Sequence, residues 1–459
     1  MIRNNIMLLT DSYKISHYKQ YPPNTTEIYS YFESRGGMFS HVTFFGLQYL
    51  LKNYLQGVVV TKEKIDEAEK IYAKHFGDAS LFYRKGWEHI LDNHGGKLPI
   101  KIKAVAEGSI VPTHNVMMTV ENTDPASFWL TNFLETLLVQ VWYGCTVATQ
   151  SREIKKLILQ YLQETGDPAL VDFKLHDFGF RGVSSVESAS IGGAAHLVNF
   201  KGSDTIAGLS FIQDYYNTHE VFGFSIPAAE HSTITSWGRE NEAMAYENML
   251  NQYSKGLVAV VSDSYDIYNA CEKLWGEQLQ NKILNREGTL VVRPDSGEPK
   301  EVVLKAVNIL GEKLGYTTNA KGFKVLDPHI RVIQGDGVHY DSIGEILDNL
   351  KQHGWSADNI AFGMGGALLQ KLDRDTQKFA FKCSCACVDG KERDVFKDPI
   401  TDNGKRSKRG KLKLIRDKEN DYKTVSIGEE GEDVLQKVFE NGELKTQYTF
   451  EEVIQNSKL

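Results

Sequence analysis

Five cysteines in 459 residues are too few and too scattered to make a disulfide framework. Three of them, Cys383, Cys385 and Cys387, alternate with Ser384 and Ala386 on a strand-like run, which predicts buried free thiols sharing one face rather than a metal site. An excess of positive charge is also missing. Against 60 Asp and Glu there are 52 Lys and Arg, a formal net charge of −8, which argues against non-specific binding of nucleic acid through a basic surface. No long apolar run is present. The most apolar helix candidate, residues 127–143, carries Asn132, Glu135 and Gln140 and so predicts a core helix, with no membrane span expected. The opening MIRNNIMLLTDSYK lacks a long apolar leader region and a small-residue cleavage site, and the expected compartment is a reducing cytoplasm. What remains is 41% hydrophobic and 24% charged, ordinary globular composition at a length that suggests two or three domains.

Along the chain, the first third mixes helices with antiparallel strands. Spacing predicts a helix over 61–76 stopping at Gly77, strands over 99–104 and 117–120 around a Glu107-Gly108 turn, and a core helix capped by Asp124-Pro125 and ended by Gly144. The middle reads differently. Short apolar runs at 257–261, 290–292, 330–333 and 360–362 each end in a polar or glycine-rich loop, and most are followed by a helical pattern. Near-continuous apolar strands alternating with helices mean parallel β-structure buried on both faces. Polar residues gathered past the carboxyl end of each strand predict an irregular β/α barrel with its site on that face, with a doubly wound open sheet as the alternative. After 378 the chain returns to antiparallel strands joined at Asp389-Gly390. The fold class expected is therefore α/β: a barrel over 151–379, and a β-rich domain built from both chain ends, 1–150 and 380–459.

Candidate chemistry sits in the strand-end loops. The turn Gly363-Met364-Gly365-Gly366 can cradle a phosphate with backbone N–H groups, and Gly335-Asp336-Gly337 offers a second such turn. Arg293 and Asp295 place a guanidinium for phosphate and a carboxylate for ribose hydroxyls at one strand end; an internal ion pair is the bland alternative. Asp263 and Asp266 suit Mg²⁺ beside a pyrophosphate, while helix capping by Asp263 or Ser264 competes with that reading. Phe178 and Phe180 could stack on a flat heterocycle or simply pack in the core, and Arg181 could meet a carbonyl or phosphate. His231 lies in a polar loop beside Glu230, Ser232 and Thr233. The basic run 405–411 reads as a solvated face, a targeting patch, or a mobile lid over phosphates.

Taken together, the motifs resemble the nicotinamide phosphoribosyltransferases, type II phosphoribosyltransferases. The resemblance runs nearly end to end: TDSYKISHYKQYPP at 10–23, KLHDFGFRGVSS at 174–185, NFKGSDT at 199–205, SIPAAEHST at 225–233, VVSDSYDIYNACEKLWG at 260–276, RPDSG at 293–297, RVIQGDGV at 331–338, AFGMGG at 361–366 and VFKDP at 395–399. It implies a homodimer with shared active sites that joins nicotinamide to phosphoribosyl pyrophosphate, with Mg²⁺, and with ATP as co-substrate through a phosphohistidine at His231. Phe178 and a second subunit's Tyr13 would sandwich the pyridine. Asp204 would accept from its carboxamide, with Arg181 and Ser262 near the ring. Arg293, Asp295 and Asp266 would serve ribose and diphosphate; Gly335, Asp336, Gly365 and Gly366 would hold the 5′-phosphate. Arg35, Arg374, Lys382, Lys397 and Lys405 would surround pyrophosphate or ATP phosphates. The rivals are nicotinate phosphoribosyltransferase, a non-catalytic nucleotide-binding protein on the same scaffold, and an aldolase-type barrel, for which neither a Schiff-base lysine nor metal-binding histidines stand at the strand ends.

Overall fold

Six short strands in the middle of the chain, four of them apolar runs, pair only in parallel. Lys255–Val261 lies beside Glu287–Arg293, then follow Ile330–Gln334, Ile360–Met364, Leu175–Asp177 and Gly202–Ser203. Residues 224–228 join the two edges. Phe224 bridges Gly202 at one edge and Ala228 bridges Ala259 at the other, both in parallel. The Ala259 N–H donates to Pro227 O at 2.9 Å, and the Ala229 N–H donates to Ala259 O at 2.9 Å. Around this ring the staves follow chain order, and the last lies beside the first. That is a β/α barrel; an open doubly wound sheet would reverse its strand order and leave two free edges.

In this computed structural model, which describes residues 4–401 and 407–459, the chain forms two units. The barrel unit takes Gln150–Phe211 and His219–Leu372. Alternation sorts its strand residues: Ala259, Val291 and Ile333 face the interior with Phe178, Ile226 and Ala361, while Val258, Val260, Leu290, Val292 and Val332 are fully buried on the other face. Helices Pro299–Leu314 and Tyr340–Gln352 bury apolar stripes, the second opening on a capping box between His339 and Ser342.

The other unit takes the described residues up to Thr149, the excursion Ile212–Thr218, and Asp373–Lys458. Its core is a seven-stranded antiparallel sheet in the order Lys391–Asp394, Phe379–Val388, Thr25–Ser34, Val116–Asn122, Ile100–Ala104, Gln436–Glu440, Glu443–Leu444, so strands from both chain ends interleave. Buried Glu107 secures the excursion: its carboxylate accepts from the N–H groups of Gly46 (3.1 Å) and Gln48 (2.6 Å) and from the Tyr216 hydroxyl (2.6 Å).

Three local expectations are corrected. Gly144 does not end a helix; it lies inside Val141–Thr165. Asp124 caps only the short turn Pro125–Ser127, and the core helix is broken into Leu130–Phe133 and Glu135–Leu138. The cysteines do not share a face. A β-bulge places Tyr29 opposite Cys385 and Ser30 opposite Cys383, skipping Ser384, so Cys383 packs with Ala386 and Val388. All five cysteines are free thiols.

Candidate functional site

A cavity of about 480 Å³ runs inside the barrel. Phe178, Asp204, Ser225 and Arg293 line it near the carboxyl ends of the strands; Lys174, Arg331 and Asp358 line it toward the amino ends. Between them its wall is apolar, from Ala259, Val291, Ile333 and Ala361. An apolar slot with a few polar groups at its mouths is the usual form of a small-molecule site. At the amino end, Lys174 is buried and donates to the carbonyls of Ala357 (3.1 Å), Asp358 (3.0 Å) and Ile360 (2.8 Å); burial pushes its pKa down to about 7.

The aromatic at the mouth is set by a glycine. Phe178 follows the Leu175–Asp177 strand, and its N–H donates to Met364 O at 3.0 Å. A Cβ on Gly363 would lie 1.9 Å from Phe178 Cε2, so the ring occupies the space that Gly363 leaves open. Gly363 and Met364 thus belong to the Ile360–Met364 strand, and only Gly365-Gly366 forms the turn, at the start of the short helix Gly366–Leu369. Asp204 is exposed to the cavity and accepts a 2.5 Å hydrogen bond at Oδ1 from the Ser225 hydroxyl. Behind Phe178, burial raises the Asp177 pKa to about 6 against the pull of the Gly179 N–H and the Thr205 hydroxyl.

Beside this mouth lies a charged cluster. His231 is not in a loop but opens the helix His231–Thr235, with Nε2 3.0 Å from Asp263 Oδ1 and Nδ1 4.0 Å from Asp295 Oδ2. The other oxygen of Asp263 accepts from the Asp295 N–H (3.1 Å) and the Ser296 hydroxyl (2.5 Å). Burial raises the Asp295 pKa, Arg293 opposes that, and the Asp263 and Asp336 carboxylates add to it. A Cβ on Gly335 would meet Asp295 Oδ1 at 3.0 Å, so the Gly335 turn sits directly against this carboxylate. The Arg293 Nε is buried with no hydrogen-bond partner among the described residues, so this donor is not spent on an internal pair with Asp295.

The barrel unit therefore gathers Phe178, Asp204, His231, Arg293, Asp295, Gly335, Asp336, Gly365 and Gly366 at the carboxyl ends of its strands. Others stand apart. Ser262 is buried, its hydroxyl donating to Val260 O at 2.9 Å and accepting from Trp275 Nε1 at 3.1 Å, and it does not line the cavity. Asp266, rather than Asp263 or Ser264, is the helix cap, accepting from the N–H groups of Tyr268 and Asn269. Arg181 is exposed in the turn Phe180–Gly182, outside the lining. Ser225 and Asp263 went unassigned as partners of Asp204 and His231. The only trace was their place inside the motifs SIPAAEHST and VVSDSYD.

The remaining candidates belong to the β-rich unit. Burial lowers the Lys382 pKa, and Arg35, Arg374 and Lys397 lower it further, so these four cations share one neighbourhood. Arg35 pairs with Glu33 through Nε at 3.1 Å, while its Nη2 is buried without a partner among the described residues. Tyr13 is 59% exposed and lines a cavity of about 400 Å³ with His17, Glu135 and Lys382. Lys405 lies outside the described residues. So does Arg406; in the described part of the run, Lys408 pairs with Glu33, and Lys411 with Glu27 (2.7 Å) and Glu392 (2.9 Å), so these two ammonium groups are ion-paired rather than simply solvated.

Comparison with known proteins agrees across the chain. Residues 173–443 match the nicotinate phosphoribosyltransferase (NAPRTase) family, and residues 5–102 match the nicotinamide phosphoribosyltransferase N-terminal domain. A nicotinamide phosphoribosyltransferase of Xanthomonas campestris pv. campestris is 52% identical over 461 residues, covering 98% of this chain and 97% of that protein. Another from Acinetobacter baylyi is 33% identical over 492 residues, covering 99% and 97%. Among solved structures, the nicotinate-nucleotide pyrophosphorylase of Pyrococcus furiosus superposes with a TM-score of 0.62 at 15% identity, covering 100% of this chain and 96% of that one. Human nicotinic acid phosphoribosyltransferase does so at 0.52 and 13%, covering 98% and 93%. At such identities these two establish the fold. Among the described residues no helix is long and apolar enough to cross a membrane.

Proposed function

The chain belongs to the nicotinamide phosphoribosyltransferase family, and on that premise we propose how its barrel carries out the reaction. It is an enzyme of NAD salvage that transfers the phosphoribosyl group of phosphoribosyl pyrophosphate to nicotinamide, giving nicotinamide mononucleotide and pyrophosphate. The observation that carries the mechanism is the mouth of the cavity, where the Phe178 ring and the Asp204 carboxylate stand near an unpartnered Arg293 donor and the Asp295–Asp263 carboxylates.

In the reaction a bond forms from the pyridine nitrogen to ribose C1 while the C1–O bond to pyrophosphate breaks, its electron pair leaving with the pyrophosphate. The nitrogen carries no proton, so no base is needed. The residues must hold the two reactants in line and neutralise the leaving group. Phe178 supplies a stacking face, and Asp204, oriented by Ser225, accepts from the carboxamide NH₂. The same carboxylate repels nicotinate, so the amide is preferred. Arg293 donates to phosphate, Asp295 accepts from ribose hydroxyls, and the turns at Gly335-Asp336 and Gly365-Gly366 offer backbone N–H groups to the 5′-phosphate. The crowded carboxylates Asp263, Asp295 and Asp336 fit a hard cation, since burial, with the Asp263 and Asp336 carboxylates adding to it, otherwise raises the Asp295 pKa. Mg²⁺ held there together with the diphosphate would supply charge neutralisation.

ATP coupling rests on His231, whose side chain is 46% exposed and open to a nucleotide. Asp263 holds the ring proton at Nε2, which leaves the Nδ1 lone pair to take the γ-phosphoryl group with release of ADP. A homodimer would bring a second copy's Tyr13 against the pyridine and several of Arg35, Arg374, Lys382, Lys397 and Lys405 to the phosphates; the exposure of Tyr13 (59%), Val186 (66%) and Ile206 (62%) supports it. Free thiols throughout suit a reducing cytoplasm. The test is turnover with phosphoribosyl pyrophosphate, Mg²⁺ and nicotinamide, with and without ³²P-labelled ATP. The expected result is faster synthesis with ATP and acid-labile label on His231. Label elsewhere, or no effect of ATP, contradicts the coupling.

A further inference from the structure

In the β-rich unit, two imidazoles converge on a single carboxylate oxygen. His89 Nε2 lies 2.6 Å and His94 Nε2 2.7 Å from Oδ2 of Asp124. The other oxygen, Oδ1, is committed to the Ala126 N–H at 3.0 Å, where Asp124 caps the turn Pro125–Ser127. Among the described residues this is the group of three potential metal ligands whose donor atoms all lie within 4.8 Å of one another.

Helical periodicity does not produce this convergence. His89 and His94 belong to the helix Arg84–His94, and side chains five residues apart diverge by about 140° on a regular helix. His94 reaches back because it is the last helical residue, before Gly95 and Gly96 turn the chain with φ of +58° and +78°. The rings are 5.8 Å apart between centroids with planes 65° apart, so they present two separate nitrogen lone-pair directions rather than a stack. The side chains are 33%, 27% and 18% exposed, which leaves an entry path and room for a water ligand.

We propose that His89, His94 and Asp124 form a zinc site, with two Nε2 ligands, a monodentate Oδ2 and one water. Two imidazoles with one carboxylate suit a borderline cation, whereas Mg²⁺ and Ca²⁺ prefer oxygen alone. Zn–N bonds of about 2.05 Å in a tetrahedron need ligand atoms about 3.3 Å apart, so the present 2.6 and 2.7 Å contacts open by well under 1 Å on binding. Each neutral ring keeps its one proton, moved from Nε2 to Nδ1. At His89 the Asn93 amide, whose Nδ2 now lies 3.0 Å from Nδ1 and donates to His89 O at 3.1 Å, must move aside so that the Nδ1 proton reaches solvent. The bound ion ties the end of the Arg84–His94 helix to the Asp124 turn and stabilises the unit.

The experiment uses the full chain, stripped with EDTA and dialysed against Zn²⁺. One equivalent retained per chain is expected, with a melting temperature raised by a few degrees. The double variant H89Q/H94Q loses both effects. Should that variant fail to fold, Co²⁺ decides: the wild type gives the visible d–d absorption of a four-coordinate ion, and Asp124→Asn, which keeps the cap on Ala126, loses it. Absence of a retained equivalent in the wild type, or one that survives in H89Q/H94Q or Asp124→Asn, leaves the trio as a hydrogen-bonded staple and overturns the proposal.

Discussion

His231 and Asp263 meet through Nε2 and Oδ1 at 3.0 Å, and the second oxygen of that same carboxylate receives the Asp295 N–H and the Ser296 hydroxyl. Asp263 therefore couples the imidazole to the loop that carries Arg293 and Asp295. Replacing His231 by Ala should abolish ATP hydrolysis and leave slow, ATP-independent mononucleotide synthesis. Asp263→Ala should cut the ATP-driven rate about 100-fold or more by freeing the ring and the loop together. Parallel assays of ADP release and mononucleotide formation check both. Unchanged ATP hydrolysis in the His231 variant removes that residue from the mechanism.

Asp204→Ser or Asp204→Asn should narrow the preference for amide over acid by about 10-fold or more, since the repulsive group is gone. Ser225→Ala should weaken nicotinamide binding by about 3- to 10-fold while changing kcat less, because it loosens Asp204 without removing it. Steady-state constants for both bases decide. An unaltered ratio in the Asp204 variants places selectivity elsewhere.

Gly363→Ala puts a methyl group 1.9 Å from Phe178 Cε2. The Phe178 ring must leave its place, and KM for the pyridine should rise about 10-fold or more while the protein remains folded. Circular dichroism with substrate titration checks this. A normal KM means that Phe178 does not provide the stacking face.

The pKa of Asp177 is raised by burial to about 6 from an ordinary 3.8. Between those values the native state binds more protons than the unfolded chain. The stability this group contributes is full below about pH 4 and is lost as pH rises through about 6, roughly 3 kcal/mol at most. Asp177→Asn should flatten that part of the stability profile, read as melting temperature against pH from 4 to 7. The same slope in wild type and variant assigns it to other groups.

Much of the barrel could be read from sequence because each buried parallel strand is a short apolar run, and each run stops where its polar loop begins. Arg293, Asp295 and the Gly335 turn fall at such stops and do meet in space. Relations fixed only by closure of the ring could not be read. Ser225 reaches Asp204 across 21 residues because the 224–228 segment closes the barrel beside Gly202–Ser203. Gly363 looked like a phosphate turn, since a glycine that makes way for a distant ring has the same letter as one that bends a loop. The bulge at Ser384 inverted the cysteine faces for a similar reason: period-two alternation carries no mark of one extra residue. Ser262, read as a ring neighbour, was claimed by Trp275, a partner 13 residues away on the following helix.

The central claim is that the cavity mouth bearing Phe178 and Asp204 joins nicotinamide, in preference to nicotinate, to phosphoribosyl pyrophosphate. One competition measures it: purified protein with equal nicotinamide and nicotinate, limiting phosphoribosyl pyrophosphate and Mg²⁺, with both mononucleotides quantified by mass spectrometry. Nicotinamide mononucleotide should exceed the acid product by about 100-fold or more. Predominance of nicotinate mononucleotide, or formation of neither, contradicts the account.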